Sequence, residues 1–309
     1  MGQAAVIVLD FDPNLRLGGA VVQLQTLALA LVILIAVLLV ARLAVVERRR
    51  GSRPGAPPGL SDMTDLRLDD LLFMILGAVP GAVVGGRLGS VLVHADYYRA
   101  YPGAILDPGF GGLTLGLGVV GGLLSAAYVG RLLDVPLRAW AHVATLPLLF
   151  GLAAGKLALA IGGTGQGLPS DVSFATAYVG AGPWGSLGPE VPSHPAQLYE
   201  ALTTAIAMAL VGAAMAFGAF SRRDGAALLA GLALWAIGRA VVAMTWRDAP
   251  VLGPLGVEQL VTLVIAVVAL VGLLARRRRA AQRPSPPSAP GGRNEASPEW
   301  PDPETRPRF

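Results

Sequence analysis

Apolar residues in this chain arrive in long blocks and not in alternation with polar ones. About seven stretches each hold the roughly 20 residues that a helix needs to cross a bilayer. In hydrocarbon such a run can satisfy its backbone N–H and C=O groups only internally, so each block is expected to be a helix. The spacing therefore predicts an all-α polytopic membrane bundle with spans near 19–46, 71–94, 110–132, 139–163, 196–219, 226–246 and 257–275. Composition agrees: 14% of the residues are charged, against about a quarter in a soluble domain.

Arginine placement predicts the orientation. Arg42, Arg48, Arg49, Arg50, Arg53 and Arg67 lie between the first two blocks, Arg131 and Arg138 between the third and fourth, Arg222 and Arg223 between the fifth and sixth, and Arg276 to Arg279 after the seventh. The opposite connections hold Arg16, Arg99 and Arg247. The positive-inside rule then puts the N-terminus outside and the C-terminus in the cytoplasm. The first residues, MGQAAVIVLDFDP, show no basic region of the kind that opens a cleavable signal, so the first span is expected to direct its own insertion. Residues 1–275 are read as the membrane domain, 52–66 as a cytoplasmic linker, and the Pro- and Arg-rich stretch 276–309 as a disordered cytoplasmic tail.

Cysteine is absent, which excludes disulfides, thiolate nucleophiles and cysteine metal sites within the chain. His94, His142 and His194 show no ligand spacing, so neither a metal nor another cofactor is expected. The net charge of +4 does not point to nucleic acid, because most of the arginines flank spans and are accounted for as topology signals.

Ionisable residues inside spans carry the functional signal, since burying them in lipid is expensive. Arg87, Lys156, Glu200 and Arg239 are four of these. With the orientation above and 1.5 Å of rise per residue, the three cations fall about 10 Å below the outer surface and Glu200 roughly 6–8 Å below it. Each long side chain could snorkel separately to the headgroups. Alternatively, four helices bring these charges to one pocket. Three cations against one carboxylate would make that pocket net cationic, suited to a phospholipid headgroup or phosphate ester. Small residues around Arg87 (GAVVGGRLGS) and Lys156 (AAGKLALAIGG) favour close helix approach and inward-facing cations. The stretch SHPAQLYE (193–200) forms the other wall. Pro195 suits a first helical turn, which puts His194 at the outer lip. Gln197 and Glu200 follow at steps of three along one face. Tyr199 points away from that face, where it could equally serve as an interfacial belt residue.

SHPAQLYE resembles the His-Pro-Ser-Gln-Leu-Tyr-Glu segment of the prolipoprotein diacylglyceryl transferases, bacterial membrane enzymes. The resemblance runs over roughly residues 10–275 and includes Gly86-Arg87-Leu88-Gly89, Gly238-Arg239, Arg247-Asp248 and Gly256-Val257-Glu258-Gln259-Leu260. It implies transfer of a diacylglyceryl group from phosphatidylglycerol to the lipobox cysteine thiol of a prolipoprotein signal peptide, at the outer face of the bacterial plasma membrane. It also implies His194, Glu200, Lys156 and Arg239 as catalytic residues, with Arg87, Lys156, Arg239, Gln197, Tyr199 and Arg247 holding the lipid and its phosphate. Phosphatidylglycerol, signal peptides and membrane lipids are the implied partners.

The chain departs from the family's pattern where the chemistry lies. Against Gly-Arg-x-Gly-Asn-x-x-Asn-Gly-Glu-x-x-Gly-x-Pro-x-Asp, the segment Gly155–Asp171 has Lys156 for the arginine, Leu159 and Gly162 for the asparagines, and Thr164 for the glutamate. Gly116 stands where the family's loop histidine belongs, Gln25 for a first-span tyrosine, and Ala243 for a glutamate four residues after Arg239. Lys156 or Glu200, with His194, is expected to act as the base in place of the lost groups. A non-catalytic lipid- or signal-peptide-binding paralogue, or a small-molecule transporter, are the alternatives. Segment 164–194, with Asp171, Trp184 and Glu190, is expected to cover the outer mouth as a lid or to be a plain connector. Tyr97, Tyr98 and Tyr101 read as interfacial anchors, and His142 lies on the cytoplasmic side, away from the site.

Overall fold

The computed structural model describes residues 6–281 except 19, 56–59, 61–62, 108–111 and 180–190. Seven of its helices are long and apolar enough to cross a membrane. They are α1 (Leu24–Gly51), α2 (Leu68–Val93), α4 (Leu115–Leu132), α5 (Leu137–Ile161), α6 (Ala196–Ala216), α7 (Ala226–Val242) and α8 (Val257–Ala281), and a short α3 (Ala95–Ala100) follows α2. The protein is thus a multi-pass membrane helical bundle. Residues up to Leu273 form one compact unit and those from Leu274 a second. Most of the expected tail, residues 282–309, lies outside the described residues.

Short strands occupy connections that read as plain loops in the sequence. β1 (Ile7–Asp10) pairs in parallel with β4 (Thr176–Val179), Ile7 opposite Thr176 and Asp10 opposite Val179. β2 (Asn14–Leu17) and β3 (Ala20–Gln23) form an antiparallel hairpin directly before α1, which is why that helix begins at Leu24 and not near residue 19. β5 (Pro250–Leu252) and β6 (Leu255–Gly256) join α7 to α8. The spans alternate in direction, so all three ribbons lie in connections at one end of the bundle, the end that carries the N-terminus of α1. At that end Tyr98 is buried, unlike the exposed Tyr97 and Tyr101, so the three tyrosines are not equivalent surface anchors.

Close packing of α2 on α4 rests on glycine. Gly77, Gly81, Gly85 and Gly89 recur every fourth residue of α2 and so share one face. A Cβ added at Gly85 would strike the carbonyl oxygen of Leu117, and one at Gly121 of α4 would strike that of Gly81. Lipid tails are as apolar as side chains, so helices in a membrane gain most from such intimate backbone contact. Gly121→Ala is expected to lower stability by about 1–3 kcal/mol, the usual range for overpacking. Thermal unfolding in detergent would show it as a fall in midpoint.

Two apolar clusters complete the bundle. Leu149, Leu152, Val211, Trp235, Ala236 and Ala266 join α5, α6, α7 and α8. Met63, Leu66, Leu71, Met74, Trp140 and Val143 close the opposite end against α1. Beside the second cluster Arg223 and Glu47 form an ion pair at 3.0 Å. Most other large apolar side chains on the helices are exposed, as Leu31 and Ile33 of α1, Leu76 and Val84 of α2, and Val264 and Val268 of α8 are, giving the bundle a lipid-compatible perimeter.

Candidate active site

Four neighbouring helices each contribute one charged side chain to a single chain of ion pairs. Lys156 of α5 places Nζ 3.0 Å from both Oε1 and Oε2 of Glu200 on α6. Arg239 of α7 donates from Nη1 to Glu200 Oε2 and from Nη2 to Glu258 Oε2 on α8, the latter at 2.8 Å. Its guanidinium also lies over the Trp246 ring, 4.3 Å from the centroid. Glu200, Arg239 and Glu258 are 3, 5 and 5% exposed, so water does little to screen them. Charges so placed persist only because each has an opposite neighbour.

Local structure explains the alignment. Glu200 lies five residues after Pro195, at the start of α6, and its backbone carbonyl accepts from Thr204 Oγ1 at 2.6 Å. Glu258 is in the first turn of α8, where the partial positive charge of a helix N-terminus favours a carboxylate. The next residue, Gln259, donates from Nε2 to the Ala240 carbonyl at 2.9 Å, which locks α8 onto α7 beside Arg239.

The ion-pair chain forms the polar end of a cavity of about 860 Å³. Lys156, Glu200, Arg239, Arg247, Asp248 and Glu258 line that end, while Val79 and Val83 of α2, Val119 and Leu123 of α4, and Leu148 and Leu159 of α5 line the remainder. The charged lining is balanced, three cations against three carboxylates, and is not the net-cationic pocket expected from the sequence. Glu258 and Asp248 supply the difference. Among the described residues no three His, Cys, Asp or Glu side chains gather as a metal ion would require.

Of the residues singled out in the sequence, Lys156, Glu200, Arg239 and Arg247 line this cavity. Arg247 also donates from Nε to the Gln166 carbonyl at 3.3 Å. Arg87 does not line it, which corrects the expected convergence of three cations. Its guanidinium donates instead to the carbonyls of Ala104, Ile105 and Asp107, at 2.5, 2.8 and 2.6 Å, and lies 5.5 Å from the Tyr98 ring centroid. Ala104 and Ile105 end a short 3₁₀ helix (Pro102–Ile105), whose last carbonyls lack partners in the helix and attract a cation. His194, Gln197 and Tyr199 also stand outside the cavity. His194 is fixed by its backbone, which bonds to Gly167 and Leu168, and its Nδ1 lies 3.3 Å from the Tyr199 hydroxyl. Gln197 is buried and donates to the Tyr178 hydroxyl at 3.2 Å, and Tyr178 donates in turn to the Ala160 carbonyl at 2.6 Å. Burial pushes the Tyr178 phenol up, which keeps it a neutral donor. Trp184 and Glu190 of the expected lid lie outside the described residues.

Glu258 and Asp248 are the site residues that the sequence reading missed. The available signal was an acid two residues into an apolar span, followed by Gln259 and Thr262 on the same side of the helix. Burial, followed by the charge of Glu258, raises the Asp248 carboxyl above its ordinary value, against the smaller opposing influence of Arg239. Folding then favours the neutral acid, so stability from this group is present at low pH and is lost as pH rises through the raised value. Asp248→Asn is expected to raise the thermal midpoint at neutral pH and to leave it unchanged below about pH 4, where both side chains are neutral.

Several departures from the family's pattern are neighbours in space. Thr164 donates to Gln25 Oε1 at 2.9 Å, and a Cβ at Gly162 would collide with the same amide. A Cβ at Gly116 would come within 3.3 Å of Glu258 Oε2.

A family model described as prolipoprotein diacylglyceryl transferase matches residues 15–275. The chain belongs to the prolipoprotein diacylglyceryl transferase family. Similar proteins named phosphatidylglycerol–prolipoprotein diacylglyceryl transferase occur in Nitrobacter winogradskyi, 30% identical over 63% of this chain and 65% of the relative, and in Geobacter sulfurreducens, 28% identical over 64% and 74%. That of Ruegeria pomeroyi is 33% identical over 64% of this chain and 67% of its own. In the first of these matches the chain spans slightly less than two thirds of the relative's length. The family match covers six spans and most of the seventh, and the Lys156–Glu200–Arg239–Glu258 chain is assembled from four of these helices.

Proposed function

We propose that this protein transfers the diacylglyceryl group of phosphatidylglycerol to the lipobox cysteine thiol of a prolipoprotein signal peptide. The observation that carries this reading is a largely buried ion-pair chain lining a cavity whose other walls are mostly apolar. A phospholipid has the same division, an anionic head joined to apolar tails. We further place the protein in the bacterial plasma membrane with its N-terminus and the polar end of the cavity facing outward, which follows from the arginine distribution.

Transfer displaces phosphate at carbon. The thiolate sulfur attacks the glyceryl carbon next to the phosphate, a C–S bond forms, the C–O bond breaks, and glycerol phosphate departs. Negative charge grows on the leaving phosphate, so hydrogen-bond donors aimed at it in a water-poor site lower the barrier. Arg239 retains a buried Nε–H without a partner among the described residues, and the Lys156 ammonium has three N–H groups for the two oxygens of Glu200. Arg247 adds a third cation at the same end. The mutual ion pairs keep the free site stable, while these spare donors give the phosphate its contacts. The tails would lie along the α2 and α4 walls.

Leu159 and Thr164 line the cavity where the family's pattern has Asn and Glu, and this favours a second reading, lipid binding without turnover. Purified protein incubated with phosphatidylglycerol vesicles and a lipobox peptide separates the two. Glycerol phosphate release with the matching mass gain on the peptide supports transfer, whereas lipid binding with neither supports the second reading and overturns the first.

A further inference from the structure

We infer that Glu258 is the proton acceptor for the incoming thiol, an inference that rests on the transferase reading. The thiolate is the reactive form of cysteine, and a free thiol holds its proton up to about pH 8.5, so the site needs a base. The residues first expected to serve are poorly placed. His194 and its ring lie outside the cavity, tied to Tyr199. Lys156 has its Nζ committed to Glu200, 3.0 Å from both carboxylate oxygens, and so is not open to an entering thiol. Glu200 has both oxygens engaged, by Lys156 and by Arg239.

Glu258 differs from Glu200 in one atom. Its Oε2 accepts from Arg239, while Oε1 is buried and has no partner among the described residues. The side chain lines the cavity, and its Oε1, shielded in the free site, is the acceptor with an open lone pair that an entering proton donor has to uncover. Gly116 lies directly against this carboxylate and, having no side chain, leaves space beside it. The charged groups around Glu258 are Arg239 of α7, Asp248 of the α7–α8 connection, and beyond Arg239 the pair Glu200 and Lys156.

Arg239 couples the proton to the bond-breaking step. In the resting site its guanidinium is ion-paired to Glu258 at 2.8 Å. As charge builds on the departing phosphate, the guanidinium is drawn toward it and its hold on Glu258 weakens. The unpartnered Oε1 is then the atom left to take the proton as the thiol gives it up. The balance is complete: S–H gives its proton to Oε1, sulfur bonds to carbon, carbon releases the phosphate oxygen, and Glu258 passes the proton to glycerol phosphate or to water.

The test compares wild-type protein with Glu258→Gln, which keeps the shape and can still accept from Arg239 but takes up no proton. Peptide lipidation and glycerol phosphate release are followed across pH, with phosphatidylglycerol binding measured separately. The expected result is a turnover loss of about 100-fold near neutrality, in the range of general-base catalysis. Lipid affinity should change by less than about threefold, well under 1.4 kcal/mol. The deficit should shrink above about pH 8.5, where the thiol ionises without help. Unchanged turnover overturns the inference, and so does a pH-independent loss that follows lipid affinity, which would make Glu258 only a prop for Arg239. Glu258→Asp, with the carboxylate withdrawn by one methylene, should be slowed yet keep the wild-type pH profile. If the glutamine variant does not fold, full activity in the aspartate variant overturns the inference on its own. Wild-type protein that releases no glycerol phosphate at any pH overturns the transferase reading itself, an outcome distinct from an active wild type with an equally active Glu258→Gln.

Discussion

Glu200→Ala is expected to destabilise the bundle by about 3–5 kcal/mol, the range found when one member of a buried ion pair is removed. Glu200 is the only group that both Lys156 and Arg239 contact through an ion pair among the described residues. Without it Arg239 keeps only Glu258, and Lys156 has no ion-pair partner among the described residues. The loss should show as a marked drop in thermal midpoint in detergent. Removing Lys156 as well tests the cause. In Glu200→Ala/Lys156→Met the remaining Arg239–Glu258 pair is balanced, so the double variant should recover much of the loss, a coupling that independent sites do not show. Equal or greater destabilisation of the double variant would mean that packing at residue 200, and not charge, dominates.

Depth was legible in the sequence and direction around the helix was not. The apolar blocks located all seven spans, with ends displaced by about six residues at most, because block length and bilayer thickness are tied. Counting rise along those spans put Lys156, Glu200 and Arg239 at one level, and they do meet. The same count put Arg87 there too, but each residue of a helix turns the side chain by about 100°. Gly85 and Gly89 of α2 face α4, and Arg87 between them turns elsewhere, toward carbonyls of a 3₁₀ helix whose existence no periodicity announces. The strands escaped for a related reason: at four residues or fewer, β1 to β6 are too short for an alternating pattern to stand out.

Partnership over distance was equally hidden. Gln25 and Thr164 are 139 residues apart in the chain and hydrogen-bonded in space. Read singly, the glutamine, glycine and threonine at 25, 162 and 164 look like three losses from the family's pattern. Together they are one repacked contact, in which Gln25 occupies the volume that any side chain at 162 would need. The absent glutamate at position 243 has a similar answer. Residue 243 begins a 3₁₀ turn at the end of α7, and the carboxylate that pairs with the Arg239 Nη2 comes from the adjoining helix, as Glu258.

Arg239 therefore has the most to lose from substitution. It bridges two carboxylates, stacks on Trp246, and keeps an Nε–H for a further acceptor. Arg239→Ala is expected to reduce transfer by roughly 1,000-fold or more, since a single donor to a developing oxyanion is worth about 100- to 1,000-fold and several are removed here. Arg239→Lys separates charge from geometry. A lysine restores the positive charge, but one ammonium on a flexible aliphatic stem cannot present the flat fork to Glu200 and Glu258 together, nor stack its face on an indole. The lysine variant should accordingly recover most of the stability lost in the alanine variant and little of the turnover. Turnover in Arg239→Lys within about tenfold of wild type would show that charge alone suffices, and the proposed sharing of the guanidinium between Glu258 and the leaving phosphate would have to be abandoned.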